Sequence, residues 1–127
     1  MSVSFNPNYG LIVVWAEIWG PAKNTIVRLA VDTGASGTLV NTAVLVSLGY
    51  DPSSLPTRIQ VTTASGIAFA PRLMISRIRA IDLERVDFPV IAHTLPTSSS
   101  VDGLLGLDFF RGMNLSIDFR TGRLSVG

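Results

Sequence analysis

One carboxylate of this sequence, that of Asp32, is predicted to lie at the end of a buried strand, where a charged group is unfavourable unless it has a function. Asp32 follows the mostly apolar segment Ile26 to Val31, and small residues come directly after it, namely Thr33, Gly34, Ala35, Ser36 and Gly37. An ionisable group at the end of a buried strand needs hydrogen bonds to its oxygens or a role for its charge. Glycine in the following turn lets backbone N–H groups point towards the carboxylate. Asp32 is therefore either a chemical group in a site or an aspartate that caps its own turn.

A second segment, about seventy residues downstream, bears on that choice. It reads Val101-Asp102-Gly103-Leu104-Leu105-Gly106-Leu107-Asp108-Phe109-Phe110. An apolar strand that ends in Asp-Thr-Gly, followed later by two apolar residues and a glycine that lead into a short helix, resembles the retropepsin-type aspartic proteases, the small homodimeric relatives of pepsin. The resemblance covers about residues 11–126. The form of the second segment is closer to cellular and prokaryotic members than to the viral enzymes.

The resemblance implies an aspartic endopeptidase that cleaves peptides or proteins as a homodimer. Two Asp32 side chains, one from each subunit, would share a proton at the dimer axis, because two adjacent like charges do not both ionise readily. The ionised carboxylate would act as general base on a bound water, and the protonated one would polarise the scissile carbonyl. By the same resemblance, Thr33 hydrogen-bonds across the dimer and Gly34 lets the substrate backbone approach.

The substrate-binding residues implied by the resemblance lie in two places. Ala35 and Ser36 would lie beside the bound peptide. Ala64, Ser65 and Gly66 would form the tip of a flap that closes over the peptide and excludes water.

The sequence departs from the relatives at positions that matter for activity. Viral enzymes commonly have Asp where Ser36 stands and Arg where Leu107 stands, and these two form an ion pair that supports the active-site loop. Both are absent here, so the loop must be supported differently. The flap has neither the Tyr of pepsin nor the Gly-rich tip of the viral enzymes. These departures leave a second hypothesis, a dimerisation or peptide-binding module with little proteolysis. A third is a small β-barrel binding module with an accidental Asp-Thr-Gly.

The elements that must position these residues are mostly strands. Gly and Pro punctuate the chain at short intervals and β-branched residues fill the gaps, which is typical of an all-β domain. Strands are predicted over 11–19, 25–32, 58–63, 67–79, 86–93, 114–119 and 124–126, the first two as a hairpin. Asn41 caps a predicted helix from Thr42 to Leu48 that Gly49 ends, and a second short helix is predicted within 106–111. With the resemblance, this predicts one domain over 1–127, a small closed β-barrel of the retropepsin-like acid protease type with one or two short helices.

Composition limits the partners, cofactors and catalytic groups that this protein can use. The 127 residues carry ten basic and nine acidic groups, a net charge of +1, which indicates neither a nucleic-acid nor an anionic membrane partner. There is no cysteine and one histidine, His93, so a thiol nucleophile, a thiolate metal site and a His-rich metal site are excluded, and no cofactor is expected. No signal peptide or spanning segment is evident, so a cytoplasmic location is expected. Asp102 and Asp108 are predicted to have loop or capping roles, and Trp15 and Trp19 to pack in the core or an interface.

Overall fold

The computed structural model describes residues 1–54, 58–63 and 66–127. In this part of the chain the strands are β1 (Ser2–Ser4), β2 (Val13–Trp19), β3 (Asn24–Val31), β4 (Leu39–Asn41), β5 (Arg58–Thr63), β6 (Gly66–Ala80), β7 (Leu83–His93), β8 (Gly103–Leu105), β9 (Leu115–Asp118) and β10 (Arg123–Val126). The α-helix α1 covers Thr42–Ser47, and single 3-10 turns cover Pro52–Ser54 and Leu107–Phe110. None of the described helices is long and apolar enough to cross a membrane.

Six strands close into a barrel. Their order is β2-β3-β8-β4-β7-β6, and β6 pairs again with β2 to complete the circle. β5 pairs antiparallel with β6 and lies outside the closed ring. The strands are joined mostly antiparallel, but β8 runs parallel to β3, and β4 runs parallel to β7. The predicted small closed β-barrel with one or two short helices is confirmed.

The β2–β3 hairpin forms because its inward residues alternate. Val14, Ala16 and Ile18 are buried on β2, and Val27 and Leu29 are buried opposite them on β3. This pattern places one face of the hairpin in the core, as period-two alternation requires.

The two tryptophans lie on the outer face of that hairpin. Trp15 is 67% exposed, so the interpretation as core packing is wrong for it. The guanidinium of Arg77 covers the ring of Trp19 at 3.8 Å from the ring centroid. Because apolar residues occupy nearly every position of β2, the sequence does not show which alternate residues face the core. Packing of Trp15 in an interface stays a prediction.

The helix α1 is capped as its sequence predicts. The Asn41 side chain accepts a hydrogen bond from the backbone N–H of Ala43 at 3.3 Å, and the chain leaves the helix at Gly49, whose φ of +100° suits glycine. Leu45 and Leu48 are fully buried. The second predicted helix is only one 3-10 turn, Leu107–Phe110.

A separate sheet joins the two ends of the chain. β10 lies between β1 and β9 and pairs antiparallel with both. The β9–β10 hairpin confirms the predicted turn at Arg120 to Arg123, with Gly122 at a φ of +67°. Leu124 and Val126 of β10 are buried and connect this sheet to the main core.

Candidate active site

The segment that carries Asp32 is anchored where β3 ends. The N–H of Val31 donates to the Ile12 carbonyl at 2.8 Å, and the N–H of Asp32 donates to the Leu105 carbonyl at 3.0 Å. β8 lies between β3 and β4, so Leu105 reaches Asp32 from the neighbouring strand. The start of the loop from Asp32 to Thr38 is thus held by the barrel wall. We call these seven residues the catalytic-type loop.

The carboxylate of Asp32 is oriented by its own turn. Its Oδ1 accepts a hydrogen bond from the N–H of Gly34 at 2.9 Å, and its backbone carbonyl accepts one from Ala35 at 3.1 Å. The side chain is half-buried. Asp32 therefore caps its own turn, as one of the two interpretations expected. The same hydrogen bond fixes the direction of the carboxylate, which a catalytic or binding site would need.

The end of the loop is held by Asp108. Thr38 donates its hydroxyl to Asp108 Oδ1 at 2.7 Å and its backbone N–H to Asp108 Oδ2 at 3.2 Å. Gly106 donates its N–H to Thr38 Oγ1 at 3.1 Å. Asp108 therefore supports a loop, as the sequence predicts. Its two oxygens are both used in doing so.

The middle of the loop packs so closely against the Leu-Leu-Gly segment that no additional carbon atom fits between their backbones. The N–H of Leu107 donates to the Ala35 carbonyl at 2.8 Å. A Cβ on Gly106 would lie 2.6 Å from the backbone carbon of Gly37 and 2.9 Å from the Ala35 oxygen, so only glycine allows this approach. The two sequence motifs, far apart along the chain, are one packed unit.

A cleft of about 650 Å³ opens above this unit. Four of the predicted site residues line it: Asp32, Gly34, Ala35 and Ser36. Apolar walls come from Pro89, Ile91 and Leu104, and polar ones from Gln60 and Arg72. A mixed wall with one oriented carboxylate suits an extended peptide, whose backbone needs polar partners and whose side chains need apolar ones.

The remaining predicted site residues fall elsewhere. Thr33 is exposed, next to Asp32 in the loop. Gly66 is the first residue of β6, opposite Thr63 of β5. Ala64 and Ser65, the predicted flap tip, lie outside the described residues.

Leu104, which the sequence places near the peptide-binding pocket as the end of the segment 97–104, lines the cleft. The sequence analysis missed Thr38, Gln60 and Arg72, which also line it. The contact of Thr38 with Asp108 spans 70 positions and follows no local pattern.

A second groove, of about 390 Å³, also borders Asp32. Its rim is apolar and exposed: Tyr9 is 46% exposed, Leu11 41% and Phe119 63%. Asp32 and Leu104 border both the groove and the cleft. We call it the apolar groove. Asp32 thus stands between a cleft and an exposed apolar surface.

Comparison with known proteins agrees with this geometry. The family model for aspartyl proteases matches residues 17–109. A retropepsin-like aspartic protease from Rickettsia conorii has a similar structure, with a TM-score of 0.73 over 100% of this chain and 91% of that chain, at 20% sequence identity. No curated protein matches the sequence. The matched range includes both motifs and nearly the whole barrel, so the chain belongs to the aspartyl protease family and has the retropepsin-like fold.

Proposed function

We propose that this chain is an aspartic endopeptidase that hydrolyses peptide bonds as a homodimer, with one Asp32 from each subunit as the catalytic pair. The observation that carries the proposal is the position of Asp32. Its carboxylate lines the cleft, is oriented by Gly34, and borders the exposed apolar groove at the same time.

The need for a second copy follows from the carboxylates of the cleft. Water activation by this family's chemistry takes two carboxylates that share a proton. Among the described residues, the other carboxylate that lines the cleft is Asp108, and Thr38 occupies both of its oxygens. The second carboxylate of the pair must then come from another subunit. The apolar groove beside Asp32 supplies a surface on which that subunit can dock.

In the proposed reaction, protons move between the two carboxyl groups, the attacking water and the peptide bond. The ionised carboxylate takes a proton from water as the water oxygen attacks the scissile carbonyl carbon, and the protonated carboxyl group donates its proton to the carbonyl oxygen. The first carboxyl group, now protonated, then gives its proton to the amide nitrogen, while the second, now ionised, takes a proton from one hydroxyl of the tetrahedral diol. The C–N bond breaks, and an amine and a carboxylic acid are released with one carboxyl group ionised and one protonated, as at the start.

The neighbouring loop residues have binding roles in this proposal. Gly34 lacks a side chain, so the peptide backbone can approach the carboxylates, and Ala35 and Ser36 lie beside it. Thr33, which is exposed, locks the two loops together across the dimer axis. The segment Ala64, Ser65 and Gly66 covers the bound peptide. The whole chain, 1–127, acts as a single domain.

The test is cleavage of a mixed peptide library by the wild-type protein and by Asp32→Asn. Asn keeps an oxygen that can accept the Gly34 N–H, so the variant removes the charge but keeps the turn. Cleavage should vanish in Asp32→Asn while the dimer persists in sedimentation.

Asp102→Asn is the matched control. Asp102 Oδ2 accepts a hydrogen bond from the N–H of Arg28 at 2.9 Å, the same length as the bond of Asp32, but Asp102 does not line the cleft. Its variant should cleave like the wild type. Unchanged cleavage by Asp32→Asn would overturn the proposal. A wild-type dimer that binds peptides without cleaving them would identify a peptide-binding module instead.

A further inference from the structure

One wall of the cleft is a row of paired residues that ends in a positive charge. Leu39 of β4 pairs with Leu104 of β8 on one side and with Ile91 of β7 on the other, and Ile91 pairs with Arg72 of β6. Residues directly opposite each other on neighbouring strands lie on the same face of a sheet, and all four line the cleft. The wall is therefore apolar from β8 to β7 and basic at its far end.

Arg72 has no carboxylate partner within the described part of the chain. This part includes all nine carboxylate side chains of the sequence, and the one ion pair within it joins Arg77 and Glu84. The two carboxylates that line the cleft have other partners or uses: the proposed reaction uses Asp32, and both oxygens of Asp108 accept hydrogen bonds from the loop. Arg72 is also exposed. A bound peptide can therefore supply the carboxylate that the chain does not.

The strand pairing limits where that carboxylate lies along the peptide. Leu104 and Arg72 are three strand steps apart. Neighbouring strands are separated by about 4.8 Å, so the two backbones are separated by about 14 Å along the sheet. An extended peptide advances about 3.3 Å per residue, so this length corresponds to about four residues.

We propose that Arg72 is a specificity-determining residue that selects peptides with an aspartate or a glutamate within about four residues of the scissile bond. This inference rests on the proposed peptidase function. The guanidinium binds the peptide carboxylate through two parallel hydrogen bonds, while the apolar row contacts side chains nearer the scissile bond. Because a homodimer has two-fold symmetry, each half of the cleft ends in its own Arg72, and acidic residues are favoured on both sides of the bond.

The test uses pairs of peptides that differ only in Glu or Gln at one position. The parent is the library peptide that the wild type cleaves fastest or, without cleavage, the one that it binds most tightly. The Glu or Gln is placed in turn at each of the four positions before and after the scissile bond.

The expected preference is moderate because Arg72 is exposed. At the favoured positions, kcat/KM for the Glu peptide should exceed that for the Gln peptide by about three- to tenfold at low salt. The difference should lie in KM, because a contact that is equally strong before and during the reaction leaves kcat unchanged. It should shrink at high salt, which screens exposed charge pairs.

Two variants of Arg72 and one control test whether this side chain is the cause. Arg72→Gln should abolish the preference, and Arg72→Glu should reverse it, so that a Lys peptide is cleaved faster than a Glu peptide. Arg79→Glu makes the same change in net charge at another exposed position of β6, but Arg79 does not line the cleft. Arg79→Glu should keep the preference of the wild type.

A binding measurement separates this inference from the proposed function. Asp32→Asn keeps Arg72 and should bind the Glu peptide about three- to tenfold more tightly than the Gln peptide, and Asp32→Asn with Arg72→Gln should bind both equally. If this holds while the wild type cleaves no peptide, the proposed function fails and the recognition of acidic peptides stands. Equal constants for Glu and Gln at every position, no binding of any peptide, or the same loss of preference in Arg79→Glu would overturn the role of Arg72.

Discussion

The close packing of Gly106 against the loop predicts that replacing Gly106 with alanine lowers both stability and activity. Gly106 has a φ of −89° and a ψ of −179°, an extended conformation that alanine also adopts, so any effect must come from the methyl group. That Cβ would lie 2.6 Å from the Gly37 backbone carbon and 2.7 Å from the Gly37 oxygen. Reaching ordinary contact at 3.4 Å requires a shift of about 0.8 Å between the Leu-Leu-Gly segment and the loop.

The size of the effect follows from that shift. Overpacking costs about 1–3 kcal/mol, and we expect the upper end because the clashing atoms belong to the backbone and not to a mobile side chain. For a chain of this length, about 3 kcal/mol lowers the midpoint of thermal unfolding by about 10 °C. A loop displaced by nearly 1 Å should also lower kcat by about ten- to a hundredfold at temperatures where the variant is folded.

The assay is thermal unfolding at fixed protein concentration, followed by peptide cleavage well below the transition. Two other glycines separate the possible causes. A Cβ on Gly127 meets no atom within 4 Å, so Gly127→Ala should change stability by less than about 0.5 kcal/mol. Gly112 is equally open but has a φ of +78°, so Gly112→Ala should lose about 1–2 kcal/mol from backbone strain alone. If Gly106→Ala matches the wild type in midpoint and kcat, the packing argument is refuted.

Two further predictions concern the dimer and the acid stability of the fold. Phe119 borders the apolar groove and is 63% exposed, and Val86 on the outer face of the barrel is exposed to the same extent. Phe119→Glu should raise the dimer dissociation constant at least about tenfold in sedimentation equilibrium, and Val86→Glu should leave it nearly unchanged; the reverse result would place the interface on the outer face. Hydrogen bonds from the backbone N–H groups of Thr121 and Arg120 lower the pKa of Asp118, so its carboxylate stabilises the fold above the unfolded-state pKa of about 3.9. This contribution is lost as the pH falls through the lower folded-state pKa. The thermal unfolding midpoints of the wild type and Asp118→Asn should therefore differ at neutral pH and converge in strong acid. A difference between the two midpoints that stays the same at every pH would contradict this prediction.

Long strands with clear turns were predictable from the sequence. The β2–β3 and β9–β10 hairpins and the long strands β6 and β7 were all expected, with ends that shift by a few residues. β2 begins at Val13 and not at Leu11, and β7 begins at Leu83 and not at Val86. Turn residues and period-two alternation give such elements a local signal.

Short strands gave no such signal. β1, β4 and β8 contain three residues each, too few for alternation to show. They are strands because their neighbours in the sheets pair with them, and that pairing is set by parts of the chain far away. The face of Trp15 was unpredictable for a related reason, since apolar residues occupy both parities of β2.

The residues of the candidate site also differ in how well the sequence predicts them. Asp32 and the Leu-Leu-Gly segment were found from their residues, because each motif is continuous in the chain. The support of the loop was not, since Thr38 and Asp108 are 70 positions apart. Sequence analysis showed that positions 36 and 107 lack the ion pair of the viral enzymes, and only the structure shows that Thr38 and Asp108 hold the end of the loop.

The central claim, that each chain supplies half of one active site, is tested most directly by mixing subunits. Wild-type protein and Asp32→Asn are unfolded together in equal amounts and refolded, with a tag on one of them to show that mixed dimers form. If the pair of Asp32 side chains is the catalytic unit, only dimers of two wild-type subunits cleave, and activity should be about one quarter of that of the same total amount of wild type. An activity of about one half, with mixed dimers present, would show that each subunit works alone and would contradict the account.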